Sequence, residues 1–97
     1  MLESKHERDL SEAVASVGGI AIKLPAILYR GIPDRLILLP GGRVWFVELK
    51  KAKASVKPSV RIHQDRFQKI LLNLGLNYRK IEGPTQTQEF INEVVLA

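Results

Sequence analysis

Pro33-Asp34-Arg35-Leu36-Ile37-Leu38-Leu39-Pro40-Gly41-Gly42-Arg43-Val44-Trp45-Phe46-Val47-Glu48-Leu49-Lys50 is the stretch of this 97-residue chain whose reading decides the fold. Two runs rich in apolar, β-branched and aromatic residues flank Pro-Gly-Gly, which is turn chemistry, so the stretch reads as a β-hairpin. Along the second strand side chains alternate, which puts Phe46, Glu48 and Lys50 on one face and Trp45, Val47 and Leu49 on the other. A three-residue turn pairs Leu39 with Arg43 and sets Asp34 opposite Glu48; a two-residue Gly41-Gly42 turn sets Asp34 opposite Leu49 instead. The residues alone leave both registers open.

Working outward, Leu10, Ala13, Val14 and Val17 recur at helical spacing, which predicts a helix over residues 2–17 that Gly18-Gly19 ends. Glu7 falls on the same inward stripe, with Glu3 its rival one turn earlier. Residues 20–24 read as a short strand and residues 25–33 as a connection. After the hairpin comes a lysine-rich loop over residues 50–58, then a helix over 59–74 with Gln64, Phe67, Leu71 and Leu74 on its inner stripe. A strand over 76–81 follows. Thr85, with Gln88 three residues on, predicts a capping box opening a last helix. The expected order is α, β, β, β, α, β, α, an α/β domain.

The length suits one domain, residues 1–97, with one core. Apolar residues at 45% and charged residues at 26% are ordinary for a folded chain. A net charge of +5 and a pI near 9.8 favour polyanionic partners. With no cysteine, disulfides, thiolate metal sites and a cysteine nucleophile are excluded, and two unrelated histidines make a poor zinc site. Oxygen ligands for magnesium or manganese are what the composition supplies. No apolar run approaches the ~20 residues that span a bilayer, and the charged start is unlike a signal peptide, so a cytoplasmic location is expected.

If Asp34 lies across from Glu48, two carboxylates stand side by side, a pairing that sheets avoid unless positive charge sits between them. A divalent cation supplies it. The chemistry that fits is phosphodiester hydrolysis: Asp34 and Glu48 hold Mg²⁺ or Mn²⁺, and Lys50 orients water and stabilises charge developing on the phosphate. Glu7 is a candidate outer ligand or partner for Lys50, and the Leu49 carbonyl a further ligand.

Pro33-Asp34, the hairpin, and then Glu48-Leu49-Lys50 resemble the signature of the PD-(D/E)xK nucleases. The block from Gly31 to Lys50, with Gln64 downstream, resembles the VRR-NUC family more narrowly, over residues 7–81. The resemblance implies a restriction-endonuclease-like αβββαβ core, here with a C-terminal helix. It places Glu7, Asp34, Glu48, Lys50 and Gln64 on positions the family's motif uses. It also implies a metal-dependent DNA endonuclease whose short stand-alone members, typical of phages and bacteria, are similar to Holliday-junction resolvases and act as homodimers. One departure is the loop after Lys50, which lacks an expected glycine.

Arg30, Arg35, Lys51, Lys53, Lys57 and Arg61 are candidate contacts to DNA phosphates, or simply solvated surface. Glu48 and Lys50 taken alone would be an exposed strand face, and Gln64 a cap on a buried backbone group. Tyr29 is core or a stacking surface for DNA, Trp45 core or dimer interface, and His6 and His63 surface residues. The rival functions are a DNA-binding module without catalysis and a protein-interaction domain whose charge only aids solubility.

Overall fold

The computed structural model describes residues 4–50 and 56–97. Helix α1 spans Lys5–Ser16, and strand β1 Ile20–Lys23. A 3₁₀ turn at Ala26–Leu28 leads to β2, Arg35–Leu39, which Pro40–Gly42 joins to β3, Arg43–Lys50. Helix α2, Pro58–Asn73, crosses to β4, Asn77–Glu82, and α3, Gly83–Phe90, runs on into a π turn at Ile91–Val95. The expected order of elements is therefore borne out.

The sheet order is β1-β2-β3-β4. The first three strands are antiparallel and β4 is parallel to β3, as the α2 crossover requires. The hairpin takes the three-residue turn, with Leu39 paired to Arg43 and Arg35 to Val47. Gly41 and Gly42 adopt φ of +79° and +73°, left-handed values that a side chain would resist. Leu36 thus pairs with Phe46, and Asp34 and Glu48 are the residues next beyond the Arg35–Val47 pair.

One face of the sheet carries Ile37, Leu39, Val47, Leu49 and Ile81, all buried against Leu10 and Val14 of α1 and against Phe90, Ile91, Val94 and Val95. These form the core. Trp45 packs edge-on to Phe90, with ring centroids 5.6 Å apart, and the Arg79 guanidinium lies over both rings. Trp45 thus lines the core side, away from Glu48. Helix α2 lies on the opposite face, which carries Phe46, Glu48 and Lys50.

Local chemistry explains the helix starts. Ser4 and Glu7 form a reciprocal capping box at α1. The expected capping box at Thr85 does not form, because α3 begins at Gly83 with Pro84 in its first turn, where the missing N–H costs nothing. Thr85 lies inside the helix, and the Glu82 amide donates to Gln86 Oε1 at 2.8 Å. Among the described residues no helix is long and apolar enough to cross a membrane.

Candidate active site

The end of β3 presents Glu48 and Lys50 toward α2, and α2 answers with Gln64. Its Nε2 donates to Glu48 Oε1 at 3.2 Å, while its Oε1 accepts from Lys50 Nζ at 3.2 Å. A side-chain amide can donate to a carboxylate through its NH₂ and accept from an ammonium through its carbonyl oxygen at once. Gln64 therefore fixes both functional side chains instead of capping backbone. Asp34 enters from the start of β2, where its Oδ1 accepts from the Leu49 amide at 3.0 Å. That hydrogen bond ties the carboxylate to the β3 backbone between Glu48 and Lys50.

Glu48 is only 7% exposed. Burial pushes its carboxyl up from 4.5 to about 7, and the nearby Asp34 charge pushes in the same direction. Burial also raises Asp34, against the Leu49 hydrogen bond and the Arg35 charge. Lys50 is lowered, by burial first and then by Lys80. Burial is the first cause of all three shifts, which raise the two acids and lower the lysine, and such shifts collect where charged groups are crowded into a site.

Lys80, the register partner of Glu48 on β4, adds a cation that sequence reasoning missed. Tyr78 pairs with Phe46 two positions earlier, and its phenol is pushed up to about 12 by burial and then by Glu48. No local pattern could have found these two, since the β3–β4 register is set by a long crossover.

Two of the expected site residues have partners that the sequence did not suggest. The Glu7 carboxylate is engaged by the Arg35 guanidinium and by Ser4, and its charge acts on Asp34. Burial would raise it, but the Ser4 hydrogen bonds and the Arg35 charge hold it below the usual carboxylate value. Arg35, expected on the DNA-facing surface, is 4% exposed; it donates to Glu7 and to the Asp34 carbonyl at 3.1 Å. Its side chain points with Ile37 toward α1, so it braces Asp34 and Glu7 from behind the sheet.

Of the other cations, Arg30 and Lys57 are exposed, and Arg61 is exposed on α2 with its charge acting on Lys50. Lys51 and Lys53 lie outside the described residues.

Among the described residues no group of three His, Cys, Asp or Glu side chains converges for a metal. Two carboxylates are present, and that donor set fits Mg²⁺ or Mn²⁺, which take one or two carboxylates and complete their shell with water and phosphate oxygens. Asp34 also has the Arg35 guanidinium 3.7 Å from its Oδ2, so its carboxylate is partly compensated from the α1 side of the sheet.

An antiparallel three-strand meander, a crossover helix, a parallel fourth strand, and acid and lysine side chains at the end of β3 define a restriction-endonuclease-like fold. Comparison with known proteins bears out the narrower resemblance. The chain is similar to a solved VRR_NUC domain, at 28% identity and a TM-score of 0.76 over 93% of this chain and 94% of that one. Its fold is also that of Hjc, a Holliday junction resolvase from Archaeoglobus fulgidus, at 17% identity and a TM-score of 0.53, covering 81% of this chain and 65% of that one. Among curated proteins it is similar to "Putative nuclease p44" of Acyrthosiphon pisum secondary endosymbiont phage 1, 46% identical over 48 residues. That match spans about half of either chain, 50% of this one and 52% of the relative. No family model matches.

Proposed function

We propose that residues 1–97 form a single nuclease domain, a metal-dependent DNA endonuclease acting in the cytoplasm as a homodimer on branched DNA. The observation that carries this reading is Gln64 bridging Glu48 and Lys50 beside Asp34. Asp34 and Glu48, with the Leu49 carbonyl, would hold Mg²⁺ or Mn²⁺. A bound divalent cation would supply counter-charge to the two carboxylates and a more acidic water. Lys50, held by Gln64, stands where it can orient the attacking water and offset negative charge building on the phosphate oxygens. Arg30, Lys51, Lys53, Lys57 and Arg61 contact flanking phosphates, consistent with the net charge of +5. Glu7 and Arg35 act as positioning residues behind Asp34.

The homodimer is supported by apolar surface on the β1 edge. Ala21 packs on the core, so Ile20 and Ile22 face the other way and are 60% and 38% exposed. Two copies related by a two-fold axis would bring two sites to two symmetry-related strands.

The test is cleavage of labelled four-way junctions, flaps, duplexes and single strands in Mg²⁺, Mn²⁺ or EDTA. Cleavage in either metal and none in EDTA is expected, and Asp34→Ala and Lys50→Ala should each lower it at least a hundredfold while DNA binding persists. Binding without metal-dependent cleavage of any form would replace this reading with a non-catalytic DNA-binding module. Binding of no DNA would leave only a protein-interaction role.

A further inference from the structure

Beside the catalytic cluster lie two cavities that share Arg30 and His63. The smaller, about 250 Å³, is lined by Gly31, Ile32, Val60 and Gln64 besides those two, so it abuts the residue that holds Glu48 and Lys50. The larger, about 340 Å³, continues outward between Tyr29, Arg66, Phe67 and Ile70. Together they make one trough leading from Gln64 to an aromatic wall.

That wall is unusual in its exposure. Tyr29 rests against Phe67 at a ring-centroid distance of 5.2 Å, yet remains 58% exposed, and Ile70 beside it is 39% exposed. Two of the chain's six aromatic residues thus sit in one pocket, and a core role would have covered them. The rest of the larger lining is Arg30, His63 and Arg66, with no carboxylate among them. An open aromatic surface flanked by guanidinium groups matches a nucleotide, whose base stacks while its phosphates meet cations.

The position of the wall is fixed. Gly31 has φ of +83°, and a Cβ there would come within 2.0 Å of the His63 carbonyl, so the turn carrying Tyr29 and Arg30 lies directly on α2. The turn is therefore packed directly against the helix that carries Gln64.

We propose that this trough receives one unpaired nucleotide of a DNA strand next to the bond to be cut, its base on Tyr29 and its phosphates on Arg30 and Arg66. The proposal rests on the nuclease reading and extends it to the feature by which a flap, or other DNA with an unpaired nucleotide, is told from a plain duplex. Paired bases are stacked within the helix and cannot enter the trough. An unpaired one enters at little cost.

The test is binding in EDTA, measured by anisotropy, of a plain duplex and of the same duplex carrying a single unpaired 2-aminopurine. The 97-residue protein should bind the second roughly tenfold more tightly, the worth of one stacked base, and should quench the 2-aminopurine fluorescence. Tyr29→Phe should keep both effects and Tyr29→Leu should lose both. Equal affinity for the two DNAs, no quenching, or an undiminished difference in Tyr29→Leu would overturn the proposal, and binding of no DNA would end it together with the nuclease reading. If the preference and quenching hold but neither DNA is cut in Mg²⁺ or Mn²⁺, the nuclease reading alone fails and the trough stands as a binding site.

Discussion

Replacing Glu48 with Gln should stabilise the metal-free protein at neutral and alkaline pH while ending its cleavage activity. Glu48 is buried, and burial pushes its carboxyl up to about 7 from the ordinary 4.5. A folded-state value above the unfolded one means the native protein binds more protons than the unfolded chain between those limits. Stability therefore falls as pH rises from about 4.5 through 7, and the loss is complete above 7. The difference corresponds to ~3 kcal/mol at 1.36 kcal/mol per pH unit. Water reaching the carboxylate from the cleft reduces this to about 2 kcal/mol. Gln keeps the shape and still accepts from Gln64 Nε2, but carries no charge at any pH.

The assay is urea unfolding in EDTA at pH 5 and pH 8 for both proteins. Wild type should lose about 2 kcal/mol more than Glu48→Gln between the two conditions. Addition of Mg²⁺ at pH 8 should raise the wild-type midpoint and leave the variant's unchanged, because a cation that binds only the native state adds to stability. Parallel pH dependence in the two proteins would refute the reasoning, as would equal stabilisation of both by Mg²⁺.

Arg35→Met should destabilise the fold by about 3 kcal/mol, because it leaves the part-buried Glu7 carboxylate without its cation; adding Glu7→Gln should recover much of the loss in denaturant midpoints. Gln64→Leu should fold normally yet cut roughly tenfold more slowly at saturating substrate, since Glu48 and Lys50 both lose the group that orients them. Gly31→Ala should cost about 2 kcal/mol or more in thermal melts, because its Cβ meets the His63 carbonyl and its φ is left-handed.

What could be read from the sequence follows how local the determining physics is. The hairpin was legible because alternation and turn chemistry are written within eighteen consecutive residues, and only the choice between two turns stayed open. The structure settles that choice through two left-handed glycines. Gln64 was legible as a polar residue on an apolar stripe, but not its double hydrogen bond, which needs the packing of α2 on β3. Glu7 and Arg35 show the limit most clearly. Each looked like site chemistry when read alone, one as an acid on an inward stripe and the other as a cation beside Asp34. Their charges compensate each other between α1 and β2, and a pairing between residues 28 apart leaves no periodic trace. Lys80 and Tyr78 were missed for the same reason, since a parallel pairing through a helix has no turn to fix its register. The residues that a short pattern identifies are thus those nearest the proposed chemistry. The residues that hold them in place are recognisable only once distant segments have met.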